Sequence, residues 1–289
     1  MRGCPLALSS SQPAQRVRSS ALAHGLWLLP FLVLAVPIVL SMWHKWTRSV
    51  WDNGHGLFVP FLVAFLAFVA LRREPVKSEA PSRWGFAILV PALLLVAIDG
   101  VIKTDHLRAL GLILSLPGLS LLLLGPRRTR ALRFPLLLAF FMLPLPPPLL
   151  TPLHLHLQAL TATGSEWFLH LLRFPVLAEG TYLHLPHGTL RVVMACSGFS
   201  ALYAAITIAL VLSYLSRSWA RRALLLSVAV PLALGGNVLR VSALALLAEW
   251  RGYEVLETSA HVLSGYASFV LTLGLLFLFA EHGPRRAEG

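Results

Sequence analysis

Three side chains in this sequence carry the functional groups of a covalent catalyst: the thiol of Cys196, the guanidinium of Arg240 and the imidazole of His261. A thiolate is the reactive form of cysteine, and it forms more readily near His or Arg. Imidazole can accept a proton near neutral pH and return it to a leaving amine. A guanidinium can stabilise the oxyanion of a tetrahedral intermediate. If the fold brings the three groups together, they predict acyl transfer through a thioester.

The composition indicates a protein that lies in the lipid bilayer. Of the 289 residues, 57% are hydrophobic and 12% are charged, whereas about a quarter of an average soluble domain is charged. The formal charge of +12 comes from short basic clusters between apolar runs. That distribution is typical of membrane topology and unlike a nucleic-acid-binding face, so we predict no nucleic-acid partner.

The predicted fold class is an all-α polytopic membrane protein with about eight transmembrane helices. Each helix must cross about 30 Å of hydrocarbon, which takes ~20 residues. The apolar runs of suitable length lie near 22–43, 57–71, 84–102, 106–124, 132–150, 191–215, 223–248 and 261–280. We divide the chain into a cytoplasmic tail over 1–20, a single membrane-embedded domain over 21–283 and a cytoplasmic tail over 284–289.

The basic residues predict the orientation. If the N-terminus is cytoplasmic, sixteen of the 24 Lys and Arg residues lie inside and seven outside, and Arg240 lies within a span. The positive-inside rule therefore predicts that both termini are cytoplasmic. The longest loop, roughly 151–190, is then outside. There we expect an interfacial amphipathic helix over 153–172 and a short β-hairpin over 176–193 that turns at 186–188.

This orientation brings the three chemical groups to one leaflet. Arg240 lies about 12 Å below the outer end of the seventh span, and Cys196 about 8 Å below the outer end of the sixth. His261 opens the eighth span at the same surface. Asn237 precedes Arg240 by three residues and shares its helix face. Helical spacing also predicts a polar stripe on the sixth span, formed by Cys196, Ser200, Tyr203 and Thr207.

Each group also has a structural interpretation. A buried cysteine is most often a small hydrophobic residue, and a histidine at a helix end is usually an interfacial polar residue. Arg240 could pair with a glutamate that follows it in the chain. The candidates are Glu249, Glu254 and Glu257.

No metal site and no cofactor is predicted. Cys4 and Cys196 have no neighbouring cysteine at metal-ligand spacing, and Cys4 is expected to be an inert thiol in the N-terminal tail. The loop helix contains His154, His156 and His170, but no carboxylate lies beside them at a recognisable ligand spacing. We expect these histidines to form a polar face at the level of the lipid headgroups.

Around Cys196, Arg240 and His261 the sequence resembles the exosortase/archaeosortase family of integral membrane cysteine transpeptidases. "ACSGFSAL" at 195–202 is similar to the family's Cys-Ser-Gly motif, "NVLR" at 237–240 to its Asn-x-x-Arg motif, and "HVLSG" at 261–265 to its His-x-x-x-Gly motif. The order and spacing agree. "DNGHGLFVPFL" at 52–62 also resembles a family segment, as does the stretch of sequence from "LPLPPPLL" to Cys196.

The resemblance implies that Cys196 is the nucleophile, with Arg240 and His261 as its catalytic partners. The supporting motif residues are Ser197, Gly198, Asn237 and Gly265. The implied substrates are membrane-anchored proteins whose C-terminal sorting signals combine a short motif, often Pro-Glu-Pro, with a membrane helix and a basic tail. The implied location is the bacterial inner membrane, with the active site near the periplasmic face, and such systems often accompany exopolysaccharide production. Phe199 stands where family members commonly carry a smaller aliphatic residue.

Two other functions are compatible with the sequence. The chain could be a non-catalytic component of polysaccharide export or assembly, in which Arg240 only holds helices together. It could also be a transporter with Arg240 in a substrate path. Transporters often contain internal repeats, and none is visible by eye in this sequence.

Overall fold

The computed structural model of the chain describes residues 13–48, 54–73 and 82–282. Within these ranges the chain forms nine α-helices and one three-stranded sheet. The helices are α1 (Pro13–Arg48), α2 (Val59–Arg73), α3 (Trp84–Ile102), α4 (His106–Ala131), α5 (Arg133–Leu138), α6 (Pro147–Leu171), α7 (Phe199–Leu215), α8 (Trp219–Arg251) and α9 (Ser259–His282). The predicted C-terminal tail, residues 1–12 of the predicted N-terminal tail with Cys4, and Asp52 and Asn53 of the 52–62 segment lie outside the described residues.

Most of the helices are membrane-compatible, but the predicted count of eight spans is not confirmed. Six of the described helices are long and apolar enough to cross a bilayer, or seven if one bent helix pair is a single span. The predicted second span is the 15-residue helix α2. At 1.5 Å per residue α2 is about 22 Å long, shorter than the hydrocarbon layer.

The predicted fifth span, 132–150, is interrupted in the structure. Helix α5 ends at Leu138, a 3₁₀ turn follows at Ala139–Met142, and α6 begins at Pro147. The two helical parts meet at an angle of 83°. Proline is tolerated in the first turn of a helix because the amide it lacks has no intrahelical partner there. The proline-rich stretch therefore begins the next helix, and that helix covers the loop segment predicted at 153–172.

A small antiparallel sheet separates α6 from α7. Its strands, in spatial order, are β1 (Leu177–Glu179), β2 (Tyr182–Leu185) and β3 (Gly188–Arg191). In the register, Leu183 lies opposite Leu190 and Leu185 opposite Gly188. Alternation along β2 turns Leu183 and Leu185 into a buried cluster that also contains Cys196. The sheet therefore anchors the segment that leads into the thiol.

The chain divides into two compact units. Among the described residues, one unit contains 13–44, 70–73 and 82–133, and the other contains 45–48, 54–69 and 134–282. In the first unit, α3 and α4 approach closely through glycine: a Cβ at Gly111 would lie 2.5 Å from the carbonyl oxygen of Ala92. Small residues allow such close helix approach in membrane proteins. The second unit holds Cys196, Arg240 and His261.

We expect Leu183→Ala to lower the free energy of unfolding by about 3 kcal/mol, the usual cost of a cavity at a buried leucine. Leu183 is 0% exposed in the cluster beneath the sheet. Thermal unfolding in detergent is the measurement, with Leu177→Ala as the matched control. Leu177 is 60% exposed, so its truncation should change stability by less than about 0.5 kcal/mol. Equal losses for the two variants would contradict this packing.

Candidate functional site

Cys196 lies in a tight turn between the sheet and α7. It ends the 3₁₀ turn Met194–Cys196, whose amides are held locally: Cys196 N–H donates to the Val193 carbonyl at 2.8 Å. Gly198, at φ 77°, separates this turn from α7. Helical spacing predicts Cys196 on the helix of the sixth span, but it lies in the turn just before that helix. The predicted polar stripe also loses its first member, because the left-handed residue breaks the helical register, and only its other three residues lie on α7.

Gly198 is required for two reasons. Its φ of 77° is in the left-handed region, which residues with a Cβ adopt at a cost. A Cβ at this position would also lie 2.7 Å from Cγ of Asn237. The absence of a side chain therefore lets α8 approach the turn that carries the thiol.

Asn237 uses this close approach to hold the turn. Its Nδ2 donates to the carbonyl oxygen of Cys196 at 2.8 Å and to Oγ1 of Thr161 at 3.0 Å. All three residues are buried. One amide thus links α8 to the thiol-bearing residue and to α6.

Arg240 connects the segments that carry the thiol and the imidazole. Its Nη1 donates to the Ala195 carbonyl at 3.2 Å, and its Nη2 donates to the His261 carbonyl at 3.3 Å. Its Nε donates to Oγ of Ser264 at 3.3 Å. The residue is only 6% exposed. A buried guanidinium needs such acceptors because its desolvation is otherwise costly.

The thiol and the imidazole face each other. Sγ of Cys196 lies 3.8 Å from Nδ1 and 3.7 Å from Nε2 of His261, within hydrogen-bond reach for sulfur. His261 lies near the start of α9, 65 residues along the chain from the thiol. Such a pair can transfer the thiol proton to a ring nitrogen, the first step of nucleophilic catalysis by cysteine.

The two remaining motif residues, Ser197 and Gly265, lie on the segments that carry the thiol and the imidazole. The Ser197 hydroxyl lies next to the thiol in sequence and 2.8 Å from Nδ1 of His154. Gly265 is buried on α9, one turn after His261, and its carbonyl accepts a hydrogen bond from Ser268 at 3.1 Å. Gly265 therefore belongs to the helix that positions the imidazole.

The prediction for His154, which lies next to the site, is wrong. We expected it on a polar face with His156 and His170, but it is 2% exposed, whereas the other two are exposed. The overlooked signal is a second polar periodicity on α6. Positions spaced four, three and four residues apart share one helix face, and here all four are polar and buried: His154, Gln158, Thr161 and Ser165.

Glu249, one of the glutamates proposed as partners of Arg240, forms hydrogen bonds with other residues. Glu249, near the end of α8, receives hydrogen bonds from the Tyr253 hydroxyl at 2.8 Å and the His187 backbone N–H at 3.3 Å, and its Oε2 lies 2.6 Å from Nδ1 of His187. Burial, followed by the hydrogen bond to Glu249, raises the pKa of Tyr253 to about 12. This cluster ties the β2–β3 turn to the end of α8. Arg240 donates to the carbonyls of Ala195 and His261 and to the Ser264 hydroxyl.

Over residues 13–48, 54–73 and 82–282, no three His, Cys, Asp or Glu side chains lie close enough together to hold a metal ion.

We expect Gly198→Ala to destabilise the protein more than Gly180→Ala. Both glycines have positive φ, 77° and 59°, so each alanine should cost about 1–2 kcal/mol in backbone strain. Only the Cβ at position 198 would also displace Asn237, because a Cβ at Gly180 would contact nothing within 4 Å. Thermal unfolding of both variants in detergent measures the difference. Equal shifts in melting temperature would show that Asn237 yields without cost.

Comparison with known proteins identifies the family. The family model described as transmembrane exosortase matches residues 43–278, which is most of the chain and includes the whole cluster around Cys196. No curated protein and no solved structure matches the chain. The match and the several apolar helices together indicate a multi-pass membrane protein. The chain belongs to the transmembrane exosortase family.

Proposed function

We propose that this chain is a membrane cysteine peptidase or transpeptidase that cleaves C-terminal sorting signals from exported, membrane-anchored proteins. The observation that carries the proposal is the contact between Sγ of Cys196 and the His261 ring at 3.7 to 3.8 Å. A buried cysteine that only fills space requires no imidazole in contact with its sulfur. The proposal therefore assigns Cys196 as the nucleophile and His261 as the general base and acid.

The chemistry follows from these two groups. His261 accepts the thiol proton while Sγ attacks the carbonyl carbon of the scissile peptide bond, and the carbonyl oxygen becomes an oxyanion. Collapse of this intermediate breaks the C–N bond, and His261 returns the proton to the leaving amine. The C-terminal segment departs and a thioester remains on Cys196. Water or a second amine then resolves the thioester, giving hydrolysis or transpeptidation.

Arg240 supports this reaction by geometry and by charge. Its hydrogen bonds to the carbonyls of Ala195 and His261 join the residue before the nucleophile to the base itself. Its fixed positive charge beside this segment favours the thiolate. Stabilisation of the oxyanion and recognition of a substrate carboxylate are further roles that suit a guanidinium.

The proposed setting is the inner membrane of a bacterium, with both termini cytoplasmic and the thiol near the periplasmic face. This orientation rests on the distribution of basic residues. A substrate anchored by its own C-terminal helix shares the membrane with the enzyme, which raises the effective concentration of the scissile bond. The association with exopolysaccharide systems comes from the family resemblance.

We expect Cys196→Ala and Cys196→Ser to abolish processing. Neither variant has a thiol that can form the acyl-enzyme. The measurement is mass spectrometry of the new C-terminus of a co-expressed reporter with a Pro-Glu-Pro motif, a membrane helix and a basic tail. A hydroxylamine-sensitive adduct on wild-type Cys196 should accompany it. Cys4→Ser is the control for general thiol effects, and it should process normally. Normal processing by Cys196→Ala would overturn the enzymatic function and favour an export component or a transporter.

Arg240→Lys and Arg240→Met separate the geometry of Arg240 from its charge. Lysine keeps the charge, but its single nitrogen cannot reproduce the hydrogen bonds that two coplanar guanidinium nitrogens make to the Ala195 and His261 carbonyls. If these two hydrogen bonds position the nucleophile, both variants should process the reporter about 100-fold more slowly, since small misplacements carry such costs. The rate of reporter cleavage at equal enzyme abundance is the measurement. Near-normal activity of Arg240→Lys alone would show that charge is the essential property.

A further inference from the structure

The thiol-bearing turn has a third attachment, on the side of α6. Nδ1 of His154 lies 2.8 Å from Oγ of Ser197, the residue that follows the proposed nucleophile. Both side chains are buried, at 2% and 1% exposure, and they lie 43 residues apart in the chain. A buried hydrogen bond of this kind is costly to break because it leaves a desolvated polar group behind.

The hydrogen-bond pattern around Ser197 defines its role. Its Oγ accepts the backbone N–H of Phe199 at 3.4 Å. A hydroxyl has one donor and two acceptor positions, so the Ser197 hydroxyl keeps one donor and one acceptor position for Nδ1 of His154 and can bond to either ring tautomer. Ser197 thus couples the first residue of α7 to α6.

Phe199 fixes the imidazole from a second direction. Its ring centroid lies 5.0 Å from that of His154 with an angle of 53° between the planes, and 5.6 Å from the ring centroid of Tyr203. Tilted rings at these separations are favourable aromatic contacts. The Phe199 side chain therefore packs against the His154 ring.

These contacts complete the support of the nucleophile. From α8, Arg240 and Asn237 bind the carbonyls of Ala195 and Cys196. From α6, His154 binds the side chain of Ser197. The three attachments hold three consecutive residues and therefore restrict rotation of the turn as well as its translation.

We propose that His154 is a positioning residue: through Ser197 and Phe199 it keeps the thiol of Cys196 in register with the imidazole of His261. The Sγ to ring-nitrogen distances of 3.7 and 3.8 Å leave little room for displacement. A shift of about 1 Å would break a sulfur contact of this length, and misplacements of that size can cost about 100-fold in rate. The effect on rate rests on the proposed function, whereas the anchoring of the turn does not.

Hydrogen exchange of the full-length protein in nanodiscs tests the anchoring directly. In His154→Leu, amide exchange should rise about two- to tenfold in peptides covering residues 194–199, the factor expected for one net hydrogen bond. Peptides covering residues 182–191 should keep their wild-type rates. His156→Leu, an exposed position on the same helix, is the matched control and should change neither region. An unchanged rate at 194–199, or a rise of equal size in both regions, would overturn the proposal.

Two further variants test whether the change in exchange comes from the lost hydrogen bond and not from a disturbed fold of α6. His154→Asn keeps an amide near the position of Nδ1 that can donate to or accept from Ser197, and it should restore most of the protection at 194–199. Ser197→Ala removes only the partner hydroxyl and should reproduce the local loss. In the double variant His154→Leu/Ser197→Ala, the effects should be non-additive, because both changes break the same interaction. Additive effects would contradict a shared hydrogen bond.

Reporter cleavage then tests the catalytic consequence. We expect kcat to fall by up to about 100-fold in His154→Leu while KM stays near the wild-type value, with partial recovery in His154→Asn. If the wild-type protein does not cleave the reporter, the proposed function fails and the exchange data still decide the anchoring. If exchange rises locally but kcat is unchanged, His154 anchors the turn without positioning the thiol, and the proposal is overturned.

Discussion

The candidate site depends on the buried guanidinium of Arg240. A permanent positive charge inside a membrane protein requires acceptors, and here the acceptors include the backbone carbonyls of Ala195 and His261. Satisfying the charge therefore fixes the segment before Cys196 against the start of α9. The same contacts bring the thiol and the imidazole to each other. The contacts that compensate the charge of Arg240 therefore also assemble the chemical groups of the site.

The polar residues around Arg240 form a connected group. Asn237 binds the carbonyl of Cys196 and the hydroxyl of Thr161, and His154 binds the hydroxyl of Ser197. In a low-dielectric interior, hydrogen-bonded polar groups rigidify their surroundings, whereas unsatisfied ones are costly. The buried polar face of α6 therefore specifies how that helix packs against α8 and the thiol-bearing turn. The close approach itself is possible because Gly198 has no Cβ.

Much of this architecture follows from the sequence. The apolar runs predict a polytopic helical protein, and the family match supports it. Charge, periodicity and motif order single out Cys196, Arg240 and His261 as residues that should meet, and the structure brings them together. The count of eight spans is not confirmed, because helix length and bending near prolines depend on packing that apolar composition does not encode. The orientation in the membrane stays a prediction from the basic residues.

The sequence by itself determined which functional groups exist and near which apolar segments they lie, because hydrophobic period and charged-residue position are local properties of the chain. Only the tertiary structure decided that Cys196 precedes α7 in a separate turn, that Arg240 binds carbonyls where a glutamate was considered, and that His154 is buried against Ser197. His154 and Ser197 are 43 positions apart, and Arg240 reaches a backbone carbonyl 45 positions away at Ala195. Side-chain identity along the sequence does not record which backbone groups a buried donor will find, since that choice is made when the helices pack.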